Sequence, residues 1–190
     1  CIRDSGYSCA GKVIDTGHNV ESIKVGDFVA CGGLDAFHAE VVSVPIKLCV
    51  KLKPNADISA AAYNTLGAIA LQGIRQADLR LGESCAVIGL GLLGQLTALL
   101  LKAAGIRVIG IDIDPAMVKI SKQNGIDLGL ARNAAGIKNK ISDFTDGFGC
   151  DGVIITASSD SLDPINFAGE IAKKRGTIVI VGDVPTGFDR

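Results

Sequence analysis

The chain has 190 residues, 48% hydrophobic and 21% charged, with a formal net charge of −1. That balance excludes a disordered chain, and the length allows one or two domains with a packed core. With 19 basic against 20 acidic residues and no Lys/Arg block, nucleic-acid and membrane-surface roles have no electrostatic support.

Residues 1 to 53 read as β. Residues 7–16 form a strand centred on Val13 and Ile14, followed by turn chemistry over 15–19. Residues 23–27 make a second turn that delivers the strand 28–31, which Gly32-Gly33 breaks. Residues 37–45 and 48–52 alternate apolar and polar side chains, so several short strands at close spacing predict a barrel-like unit. His18 falls in a turn and His38 on a strand surface, and neither is assigned as a general base. Asn55 or Asp57 caps a helix over 58–63, and a second helix spans 65–76.

From Leu81 onward, strands and helices alternate. The spacing predicts strands at 85–88, 107–111, 127–131, 151–157 and 177–181, with helices at 92–104, 115–124, 137–145 and 164–174. Gly105, Gly125 and Gly176 stand where helices end, and Pro115 follows the capping Asp114. Near-continuous apolar strands between helices predict a doubly wound parallel α/β sheet. No internal repeat is visible. The apolar region 90–113 is interrupted by Gln95, Lys102, Arg107 and glycines, so it reads as a buried helix and strand and not as a membrane span.

The stretch 84–95, SCAVIGLGLLGQ, carries the chemistry. Gly89 makes the turn, Gly91 lets backbone approach phosphate, and Gly94 lets the helix pack close to the strand. The amides of Gly91, Leu92, Leu93 and Gly94 at the helix start then face a dinucleotide pyrophosphate. Asp112 ends the next strand, about twenty residues on, where a carboxylate accepts hydrogen bonds from the adenosine ribose. It repels a 2′-phosphate, so NAD is expected over NADP. Thr156, Ala157 and Gly182 follow later strands, at the sheet end where ligands lie; each reads equally as an ordinary loop residue.

The six cysteines (1, 9, 31, 49, 85, 150) form no CxxC pair, so they read as small core residues of a reducing cytoplasm. No secretory signal opens the chain, and a cytoplasmic location is expected. The start at Cys1 and the end directly after a strand predict a piece of a longer protein.

The segments GYSCAGKVIDTG (6–17), KVGDFVA (24–30), FHAEVVSVP (37–45), LRLGESCAVIGLGLLG (79–94), VIGIDID (108–114), GCDGVIITAS (149–158) and RGTIVIVGD (175–183) resemble the medium-chain dehydrogenase/reductase family. The resemblance implies a partial GroES-like catalytic domain (1–53) followed by a Rossmann domain with leading helices (54–190). It implies hydride transfer between a nicotinamide cofactor and an alcohol or carbonyl substrate, and homodimers paired along the sheet edge at 177–181. Zinc-dependent members carry Gly-His-Glu where this chain has Gly6-Tyr7-Ser8, and a later ligand position aligns with Asn64. The region between Cys31 and Phe37 has no room for a four-cysteine zinc loop. The resemblance therefore implies no zinc, with Tyr7, Ser8 and Asn64 as candidate hydrogen-bond donors to substrate oxygen. Tyr7 reads also as a strand tyrosine packed in place. Gly6-Tyr7-Ser8 together with 67–78 is similar to a bacterial subgroup in which a second oxidoreductase domain follows, in surface-polysaccharide loci. Two alternatives stay open: a zinc-dependent alcohol dehydrogenase with ligands outside this piece, and a dinucleotide-binding module without turnover.

Overall fold

The computed structural model describes residues 6–187, so both chain ends, on which the expectation of a longer protein rests, lie outside the described residues. The chain divides into two compact units, Cys1–Ala68 and Ile69–Arg190.

The first unit is a three-stranded antiparallel sheet, β1 (Ser8–Lys12), β2 (Phe28–Gly32) and β3 (Cys49–Lys51), in that order. Its core is Ile23, Val29, Cys31 and Ala36, with Cys9, Val13, Val20, Val44 and Cys49 packed against it. The expected strand over 7–16 is shorter than predicted. Val13 still donates its amide to the Asp27 carbonyl (2.8 Å), but β2 begins at Phe28 and, among the described residues, no strand faces those beyond. Ile14 is accordingly exposed. Residues 37–45 do not form a strand despite their alternation. A strand needs a ladder partner for its amides and carbonyls, and Phe37 and Val41 lie exposed in an irregular stretch that leads to a 3₁₀ turn, Ile46–Leu48.

Helix α1 (Ile58–Ala61) starts as expected at Asp57, whose carboxylate accepts the amides of Ser59 (2.8 Å) and Ala60 (3.2 Å). Helix α2 (Asn64–Ala77) follows. The first unit runs on to Ala68. Within it, the buried Ser8 hydroxyl donates to the Ala62 carbonyl (2.6 Å) and accepts from the Thr65 amide (3.3 Å). That tie fastens the helical junction to β1 across more than fifty residues of sequence, a contact that no local pattern reveals.

The second unit is a five-stranded, all-parallel sheet ordered β6-β5-β4-β7-β8. Its strands are β4 (Ser84–Ile88), β5 (Arg107–Asp112), β6 (Leu128–Ala131), β7 (Cys150–Ile155) and β8 (Ala172–Ile180). Helices α3 (Leu92–Ala103), α4 (Pro115–Gln123), α5 (Ile137–Phe144) and α6 (Asp163–Ile171) connect them. Alternate strand residues feed two cores. Ala86, Ile88, Ile109, Ile111, Val153 and Ile155 meet α5 and α6 through Ile137, Ile141 and Phe167. Cys85, Val87, Val108 and Ile154 meet the other helices through Ala77, Ala98, Leu101 and Val118. Burial on both faces is what a doubly wound sheet requires, so the expected fold class stands.

The largest boundary difference lies before the last strand. Helix α6 stops at Ile171 and not at residue 174, and β8 begins at Ala172, five residues before the predicted 177. Its register against β7 jumps between Cys150–Ala172 and Gly152–Thr177. Arg175 at φ +65° turns the chain there, and Lys173 reaches back to pair with Asp151. Asp151 in turn accepts from the Ser84 amide (2.7 Å) and hydroxyl (2.9 Å), so this bulge is pinned to the central strand.

Candidate functional site

Strand β4 is buried along its whole length and delivers the chain to Gly89 at the carboxyl end of the sheet. Gly89 has φ +94°, a left-handed conformation that favours glycine, and a Cβ there would lie 2.6 Å from the Ala157 amide nitrogen. Gly94 sits at the first turn of α3, and a Cβ on it would fall 1.9 Å from the Gly89 carbonyl oxygen. Around Gly91 the space is open: nothing lies within 4 Å of a Cβ built on it. The three glycines therefore divide into two that permit close packing and one that leaves room beside the helix start.

Gly91 is the N-cap of α3 and, being glycine, supplies no capping side chain. The first amides of a helix have no partner within it, and they sit at the positive end of its dipole. Leu92 and Leu93 are partly exposed at this position. An uncapped helix start beside open space is suited to a phosphate group.

Asp112 ends β5 next to this turn. Its Oδ2 accepts the Leu90 amide (2.5 Å) and its Oδ1 accepts the Asp114 amide (2.7 Å). Each carboxylate oxygen has capacity for a further hydrogen bond. The carboxylate thus fixes the glycine turn and still presents acceptors. Asp114 keeps the capping role, accepting the Ala116 amide at 2.8 Å.

Thr156, Ala157 and Gly182 gather behind the same turn. The Thr156 hydroxyl donates to the Gly89 carbonyl (2.6 Å), and the Ala157 amide donates to the Ile88 carbonyl (3.0 Å). A Cβ on Gly182 would meet the Ala157 carbonyl oxygen at 2.0 Å. These residues pack the turn into place as a scaffold. Gln95 was not singled out from the sequence. Its Nε2 donates to the Leu90 carbonyl (2.9 Å) and the Met117 carbonyl (3.1 Å), linking the turn to α4. Its place one residue past the third glycine is the only signal that could have found it.

In the first unit, Tyr7, Ser8 and Asn64 occupy the positions that the resemblance assigns to metal ligands. Tyr7 is partly buried and its carbonyl accepts the Gly33 amide (3.0 Å). Ser8 donates its hydroxyl proton to Ala62, and Asn64 is exposed at the start of α2. A phenol, a committed hydroxyl and a carboxamide do not fit the nitrogen, thiolate and carboxylate donors that zinc takes. Among the described residues, no group of three or more His, Cys, Asp or Glu side chains is placed to hold a metal ion. Nor is any described helix long and apolar enough to cross a membrane.

Ser8→Ala should cost about 1–3 kcal/mol of stability, because the partly buried Thr65 amide and Ala62 carbonyl lose their shared partner. NADH affinity should be unchanged. Chemical denaturation and NADH titration of the same sample check both parts.

The chain is 29% identical over 161 residues to a D-guloside 3-dehydrogenase of Shigella flexneri, covering 83% of this chain and 45% of that protein. It is 26% identical over 208 residues to an alcohol dehydrogenase of Geobacillus stearothermophilus, covering 93% and 60% respectively. The chain thus spans about half the length of these curated relatives. A mycobacterial protein solved in complex with NADPH superposes with a TM-score of 0.81 at 22% identity, over 96% of this chain and 59% of that one. A family model described as zinc-binding dehydrogenase matches residues 93–189, more than half of the chain. On that match, added to the sheet order and the glycine turn, the chain belongs to the zinc-binding dehydrogenase family, on its alcohol-dehydrogenase-like, medium-chain side.

Proposed function

We propose that this chain is the cofactor-binding part, with a portion of the catalytic domain, of an NAD-dependent oxidoreductase that acts on an alcohol or carbonyl substrate without catalytic zinc. The observation that carries the reading is Asp112, a carboxylate held 2.5 Å from the Leu90 amide at the edge of the glycine turn. It supports a free ribose diol beside it and disfavours a 2′-phosphate, which is a second anion.

Bound nicotinamide supplies hydride transfer at its C4. The chain's residues bind and orient. The amides of Gly91, Leu92, Leu93 and Gly94 hold the pyrophosphate, with the α3 dipole favouring its charge. Asp112 accepts from the ribose hydroxyls. Gly89, Thr156, Ala157, Gly182 and Gln95 keep the turn rigid, so that little ordering remains to be done on binding. Without a metal, charge on the substrate oxygen falls to hydrogen-bond donors. Tyr7 and Asn64 are the candidates that keep side-chain donors in the first unit, whereas Ser8 has its proton engaged with Ala62.

The test is NADH oxidation by a panel of aldehydes and ketones, using the full-length protein before and after exhaustive chelation. Turnover that survives chelation is expected. Turnover that disappears with chelation and returns with zinc would overturn the metal-free reading, and tight NADH binding with no turnover on any carbonyl would overturn the enzymatic one.

A further inference from the structure

The small β unit carries a feature that cofactor binding does not use: three cysteines in one row. Register places Cys9 opposite Cys31 and Cys31 opposite Cys49 on neighbouring antiparallel strands. Cross-strand partners share a face of a sheet, so all three thiols lie on the same side, within one core cluster.

The two pairs are not equivalent. The Leu52 amide donates to the Phe28 carbonyl (2.8 Å), which marks Phe28–Leu52 as a hydrogen-bonded pair. Hydrogen-bonded and non-hydrogen-bonded pairs alternate along an antiparallel ladder. Counting along the register, Cys31–Cys49 is a non-hydrogen-bonded pair. The bonds Val13 to Asp27 and Gly33 to Tyr7 make Cys9–Cys31 a hydrogen-bonded one. Cα atoms approach to about 4.5 Å in the first type and about 5.5 Å in the second. A disulfide spans Cα separations from about 4.4 Å upward, so the closer pair is already within bridging range. Its sulfurs are 3.6 Å apart, with the Cys31 thiol donating to the Cys49 sulfur.

We propose that Cys31 and Cys49 form a reversible oxidation site, a dithiol that peroxide converts to a cross-strand disulfide. Cys49 is partly exposed and Cys31 is buried, so Cys49 is the sulfur that peroxide reaches. Burial first, and then the neighbouring thiols, push the Cys31 thiol up to about 12, so it keeps its proton until the second step. Cys49 sulfur attacks one oxygen of hydrogen peroxide and breaks the O–O bond, giving a sulfenic acid and one water. Cys31 sulfur then attacks the Cys49 sulfur. The sulfenic hydroxyl leaves with the Cys31 proton as a second water. Two thiols are oxidised by two electrons and one peroxide is reduced to two waters. The product closes a loop over residues 32–48, in which the last residue of β2, Gly32, is followed by one short 3₁₀ turn and otherwise irregular backbone. Cys85 and Cys150 are fully buried in the second unit and take no part.

The experiment is peroxide treatment of the full chain, trypsin digestion and mass spectrometry. Cleavage after Lys24, Lys47 and Lys51 puts Cys31 in peptide 25–47 and Cys49 in peptide 48–51, while Cys9 lies in peptide 4–12. Peptides 25–47 and 48–51 should appear joined, at the mass of a pair less two hydrogens, and dithiothreitol should separate them. Alkylation by N-ethylmaleimide should fall by two thiols per chain. Cys31→Ser and Cys49→Ser should each abolish the joined species and Cys9→Ser should retain it. Cys49→Ala serves as a second variant at the partly exposed position, and far-UV circular dichroism verifies that each variant folds. A joined peptide 4–12, loss of the joined species in folded Cys9→Ser, or peroxide carrying Cys49 to sulfinic acid with no joined peptide would each overturn the proposal.

Discussion

Gly94→Ala is expected to abolish saturable NADH binding and to lower stability by about 1–3 kcal/mol or more, the usual cost of forcing a methyl group into packed structure. The added Cβ would lie 1.9 Å from the Gly89 carbonyl oxygen and 2.9 Å from both the Gly89 carbonyl carbon and the Thr156 Oγ1. Two of those neighbours are backbone, so no side chain can swing away to relieve the clash. Nor can the turn recoil, because Gly89 backs directly onto Ala157. Helix α3 must lift off β4, and its free amides leave their place. Gly91→Ala separates packing from ligand contact. Its Cβ meets nothing within 4 Å and its φ of −63° suits any residue, so stability should stay within about 0.5 kcal/mol of wild type. NADH affinity should still fall, since the methyl group occupies the space left for phosphate. Thermal melts and NADH fluorescence titrations on the two variants check the contrast.

Asp112→Ala is expected to weaken NADH binding by about 10–100-fold, the equivalent of losing one or two charge-assisted hydrogen bonds. Two effects combine. The ribose loses its acceptor, and the Leu90 and Asp114 amides lose theirs, so the turn loosens. The ratio of affinities separates them. A looser turn weakens NADH and NADPH alike, whereas removing the negative charge helps only the ligand with the 2′-phosphate. NADPH affinity should therefore fall less than NADH affinity, or rise. An equal loss for both ligands would mean that Asp112 acts only through the turn.

The parallel sheet was legible because its strands carry apolar cores, such as residues 85–88, 108–111 and 153–155, and its helices announce their ends. Asp57 and Asp114 cap where capping residues were read, and Gly105 and Gly125 take positive φ where helix ends were read. Residues 37–45 misled because alternation records side-chain polarity, while a strand also needs a neighbour to pair with. The end of α6 misled for a related reason. Lys173 is a good helix former, but its pairing with Asp151 and the register jump beside β7 override that preference. Around the candidate site, the three glycines and Asp112 could be picked out by spacing alone. The contacts that hold them could not, since the grip of Asp112 on Leu90, the Thr156 bond to Gly89 and the Gln95 bridge depend on residues brought together by folding. The same holds for Ser8, whose hydroxyl secures a helix junction, and for the cysteine row, which exists only in register.

The glycine turn and Asp112 together are proposed to make a site for NAD. Fluorescence titration of the wild-type protein with NADH and NADPH, side by side in one buffer, tests it most directly. Saturable NADH binding at least about tenfold tighter than NADPH is predicted, a difference of roughly 1.4 kcal/mol for one added phosphate facing a carboxylate. Equal affinities, a preference for NADPH, or no saturable binding of either would contradict it.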